Sequence, residues 1–192
     1  TSSNAYINRY TTGSFTGYNF TNNWTVNCPG IPVESDNVAT GNLYYNGTLT
    51  TGFVQTVTDQ TAFNLQGNSN TNSTSAVNLF RMSSPQNNRL TYLGKKNRTF
   101  QVNAALSVRG SDNVGSFYAF FIRKNGTTTL TETNTVMRVN TTSDIVSNSI
   151  SGTVELAPND YIEIWGQRLL TASGNSSTDT NIAVFSLNVN IK

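Results

Sequence analysis

The chain has no histidine, a single cysteine, four prolines and two methionines in 192 residues. Without histidine there is no imidazole base, no Ser-His or Cys-His nucleophile and no His-ligated metal. The lone Cys28 cannot close a disulfide within the chain, so stability has to come from core burial or association. Cys28 reads as a quiet half-buried thiol, because no His or Lys stands near it in sequence to activate it. Charge is scarce too. Twelve Lys and Arg against ten Asp and Glu leave a net charge of +2, too little to argue for a nucleic-acid partner. No apolar run approaches the ~20 residues that span a bilayer, and no signal-peptide core opens the chain. Thr1 stands where an initiating Met would, and a longer precursor is expected.

What is present is polar and strand-forming. Thr (29), Asn (28) and Ser (20) dominate, with ten Phe, eight Tyr and two Trp. Thr and the aromatics favour strands, while the helix formers Ala, Leu, Glu and Lys are thinly spread. The composition indicates a folded, β-rich domain with a charge-poor surface.

Residues 1–49 are dense in Gly and Pro and alternate weakly, so short strands and turns are expected there, packing on a following domain or joining a shaft. Residues 50–192 read as one domain. Thr99 to Arg109 gives strict period-two alternation, with Phe100, Val102, Ala104, Leu106 and Val108 on one face. Ile150 to Leu156 and Tyr161 to Trp165 alternate likewise. The last strand places Ala183, Phe185, Leu187, Val189 and Ile191 together. Asn125-Gly126 between two strand-like runs signals a tight hairpin. Phe117 to Ile122 is apolar on both faces, so something must cover each: a neighbouring subunit, the chain's own sandwich, or the N-terminal segment. About ten strands with regular turns predict an all-β, antiparallel, two-sheet sandwich or jelly roll.

The order of motifs in the second half carries a resemblance. Asn88-Arg-Leu-Thr-Tyr-Leu-Gly94 leads into Thr99-Phe-Gln-Val. Phe120-Phe-Ile-Arg-Lys-Asn-Gly-Thr127 follows, then Ile150 to Trp165 with its Ala-Pro-Asn-Asp turn, then Ala183 to Val189. This resembles the tumour-necrosis-factor/complement-globular-head jelly roll, particularly the heads of bacteriophage and other viral fibres and spikes. The resemblance implies a ten-stranded homotrimer on a virion surface, outside the cell. It further implies partners among other virion proteins and a host-cell receptor, a glycan being one candidate. The trimer contact is expected to draw on Phe117, Tyr118, Phe120, Phe121, Trp165 and Phe185. A minor capsid or decoration protein with a purely assembly role is the alternative.

Chemistry is thinly signalled. The ten carboxylates are dispersed. Glu155 and Glu163 could lie on adjacent strands, but any neighbouring strands offer such a pair. No enzyme activity, metal or cofactor is expected, and no Asp-x-Asp spacing suggests the calcium sites that some relatives carry. Lys95-Lys96-Asn97-Arg98 is the one basic cluster, either a solvated hairpin tip or a contact for an anionic polymer. Tyr44-Tyr45-Asn46, expected in a turn, and Trp24 are the candidates for stacking on a sugar. Trp165 reads as packing or subunit contact.

Overall fold

A computed structural model describes residues 38–50, 52–58, 60–65, 74–110, 115–169 and 181–192. They fall within one compact unit, Glu34–Lys192. Trp24 and Cys28 lie outside the described residues.

Twelve strands are present and, among the described residues, no helix: β1 (Thr40–Asn46), β2 (Phe53–Thr56), β3 (Ala62–Asn64), β4 (Ser75–Phe80), β5 (Met82–Ser83), β6 (Leu90–Tyr92), β7 (Arg98–Gly110), β8 (Phe117–Lys124), β9 (Thr128–Arg138), β10 (Val146–Leu156), β11 (Tyr161–Leu169) and β12 (Asn181–Ile191). One sheet, A, has the order β10-β7-β12-β1-β4, with β2 also on β12. The other, B, has the order β5-β6-β11-β8-β9, with β3 also on β11. All pairings are antiparallel. Among β1 and β6 to β12 the chain changes sheet at every connection except the β8–β9 hairpin, which is jelly-roll wiring. The sandwich includes β1, so it begins upstream of the residue-50 boundary expected from sequence.

Alternation explains the core. Phe100, Val102, Ala104, Leu106 and Val108 of β7 point inward, as do Ile150, Val154 and Leu156 of β10 and Ile162 and Ile164 of β11. Each fully buried Leu, Ile or Phe contributes roughly 1.5–3 kcal/mol. The Asn125-Gly126 hairpin forms as read, with φ of 53° and 68°.

One expectation needs correcting, and one open alternative is decided. On β12 the inward set is Ile182 and Val184, then Leu187, Val189 and Ile191, because a register shift between Val184 and Ser186 changes the phase. Ala183 and Phe185 therefore leave the core row. On β8, Tyr118, Phe120 and Ile122 belong to the core, and Ala119 and Phe121 on the opposite face are also buried. Both faces of β8 are covered within one chain, so its apolar sequence does not require a second subunit.

Candidate binding surfaces

The expected sugar-stacking trio does not converge. Tyr44, Tyr45 and Asn46 lie on strand β1 rather than in a turn, so alternate residues face opposite ways. Tyr45 is buried, edge-on to Phe53 at 5.2 Å between ring centres. Burial pushes its hydroxyl above the ordinary tyrosine value, against a smaller opposing effect of a hydrogen bond to the Phe53 backbone. Tyr44 and Asn46 face outward and are exposed.

The expected trimer contact breaks up in the same way. Tyr118 and Phe120 are core residues with no accessible surface, and a partner subunit cannot reach them. Phe121 and Phe185 are buried within the chain. Phe117 and Trp165 are half-buried on the outer face of sheet B, each under a guanidinium. Arg138 lies over Phe117 at 5.9 Å and Arg123 over Trp165 at 4.3 Å. Arg109 covers the Phe185 ring at 5.1 Å.

The carboxylate pair also comes apart. Glu155 is on β10 in sheet A and Glu163 on β11 in sheet B. Glu163, with its side chain 2% exposed, accepts from Arg89 Nε at 2.9 Å and from Trp165 Nε1 at 3.0 Å. Arg89 in turn lies over the Tyr161 ring at 3.8 Å. This row of Arg89, Glu163 and Trp165 is satisfied internally. Among the described residues, no three metal-ligating side chains come together.

The motif residues behind the resemblance turn out to pin the fold. Asn88 donates to Ile164 O (2.7 Å) and accepts from Ile164 N (3.2 Å). Asn125 accepts from Tyr161 N (3.0 Å) and donates to Asp160 (2.8 Å). Asp160 also accepts from Ala157 N (2.8 Å) and pairs with Lys124 (2.7 Å). At Gly94, an added Cβ would fall within 2.1 Å of the Tyr92 ring, so only glycine fits there.

Two surfaces remain. The first is the outer face of sheet A. Register aligns Asn42, Asn190, Asn103 and Ser151 in one row across four strands. The next row is Tyr44, Asn188, Ala105 and Ser149, and the next Asn46, Ser186, Ser107 and Ser147. None of these twelve positions is charged. Exposed Val77 and Phe80 on β4 and Val54 on β2 border them. The alternating small polar residues were visible in each strand separately. Only the strand pairing shows that they form a single face.

The second surface is one end of the sandwich. Lys95 and Lys96 are exposed in the β6–β7 loop, and Arg98 opens β7 with its guanidinium over Phe100 at 5.7 Å. Arg98 pairs with Leu156, next to the β10–β11 turn. Lys124 ends β8 against the same turn.

No protein-family model matches the chain, and no curated protein matches it. Several solved structures are similar to it. Murine APRIL aligns over 80% of this chain and 98% of its own, at 10% identity and a TM-score of 0.47. Eiger TNF from S. frugiperda aligns over 81% and 93%, at 9% identity and a TM-score of 0.44. The PRD1 vertex protein P5 aligns over 79% and 95%, at 9% identity and a TM-score of 0.39.

Proposed function

We propose that the chain is a homotrimeric head domain of a virion fibre or spike, which attaches the particle to a glycan-bearing host receptor. The observation that supports it best is the block of twelve uncharged positions at the centre of the outer face of sheet A, between Arg109 of β7 and Glu155 of β10. Such a block can meet copies of itself without burying an unpaired charge, and its Asn and Ser rows can exchange hydrogen bonds across the contact. Val54, Val77 and Phe80 at its border add apolar area. In this reading Tyr44 and Asn46 fall in the subunit contact, and receptor binding uses the ends and outer loops. Three weak sites per head, at ~mM affinity each, would combine through avidity on a particle carrying many heads.

Light scattering after size exclusion tests the assembly. A mass of three times 20.9 kDa is expected, and a stable monomer would sink the trimer. Binding of the soluble head to host cells, and its blocking of infection, tests attachment. A trimer that does neither would shift the reading to a minor capsid or decoration protein.

A further inference from the structure

We propose that the basic end of the jelly roll binds a polyanionic glycan. The chain has only four lysines, Lys95, Lys96, Lys124 and Lys192, and the strand register brings all of them to one end. Lys95 and Lys96 lie in the β6–β7 loop just ahead of Arg98, which pairs with Leu156 at the end of β10. Lys124 closes β8 opposite Ile162, where β11 begins. The Lys192 backbone exchanges hydrogen bonds with Gln101 near the start of β7. Hydrogen bonds between Tyr92 and residues 159–160, which extend the β6–β11 ladder of sheet B, hold the β6–β7 loop and the β10–β11 turn at the same end.

The groups between the cations suit a sugar. The exposed Glu155 carboxylate accepts from Asn97 at 3.4 Å, and Lys124 donates to the Glu155 carbonyl at 2.7 Å. Amides and carboxylates read hydroxyl groups, which a DNA backbone lacks, while the lysines meet sulfate or carboxylate. Exposed Leu93 at the rim offers an apolar contact for sugar C–H groups. The proposal rests on the attachment reading for its biological setting alone.

Heparin is the sulfated probe and dextran its neutral control, titrated calorimetrically into the full chain from about 50 mM salt upward. Heparin binding should weaken with salt, and dextran should give no heat. The Lys95→Gln/Lys96→Gln double variant changes two exposed side chains and should fold normally. It should lower the slope of log affinity against log salt by about two. Absence of heparin binding, or a double variant that matches the wild type, overturns the site. Duplex DNA binding as tightly as heparin overturns the glycan assignment. If heparin binding fails while the soluble head still binds host cells, the attachment reading survives without this site. If heparin binds but cells do not, the site stands and attachment falls.

Discussion

On the side of β11 facing β3 and β6, Ile164 has its N–H and carbonyl turned away from β8. The carbonyl takes a hydrogen bond from Leu65 N–H, and the Asn88 side chain meets both groups as a strand residue would. Asn88 also donates to Asn64 at 2.6 Å and holds φ at 56°, a conformation asparagine tolerates better than most residues. Asn88→Ala would leave the Ile164 N–H buried without a partner and strain the backbone. We expect a loss of about 2–4 kcal/mol, read from urea unfolding. At this scale the sequence showed that Asn88 belonged to a motif but not what it bonds. Its principal partner lies 76 residues away, where no local pattern points.

Strands with one buried face were legible because period two is a local property. Hence β7, β10 and β11 run as their alternation indicates. β12 departs from its apparent phase because its bulge is set by pairing with β7, which the strand alone does not encode. The connection between the β8–β9 hairpin and the β10–β11 turn gives a test at this level. Burial raises the Asp160 pKa, but hydrogen bonds from Lys124, Asn125 and the Ala157 N–H, with the Lys124 charge, outweigh it and hold the carboxyl below its ordinary 3.8. A depressed folded value means the stabilisation is complete above 3.8 and disappears as pH falls through the folded value. Unfolding free energy measured from pH 6 down to about 2 should therefore fall more steeply in the wild type than in Asp160→Asn. Equal slopes would show that this pin contributes nothing.

For the molecule as a whole, composition and alternation sufficed for a two-sheet antiparallel sandwich, and the order of motifs, through its resemblance, singled out the jelly roll. The candidate surfaces were less legible, since a face or an end is assembled from strands distant in sequence. Tyr45 looked like a surface residue only because its segment read as a turn, whereas it lies on β1 with its side chain inward. Tyr118 and Phe120 looked like a contact only because their strand is apolar on both sides. Ser149 lies in the middle row of sheet A, so Ser149→Lys would place a charge at the centre of the subunit contact. We expect it to convert the trimer to monomers of 20.9 kDa with the circular dichroism of a β protein unchanged. A variant that remains trimeric would move the contact to another face.

The confinement of the lysines to one end also determines how the protein can be handled. Amine-directed coupling through its lysines would fix the jelly roll to a sensor chip or bead in a single orientation, with the far end of the sandwich facing solution. The same acylation would neutralise the basic end. Ligands captured on such a surface would report on the opposite loops, and ligands captured in free solution on both ends.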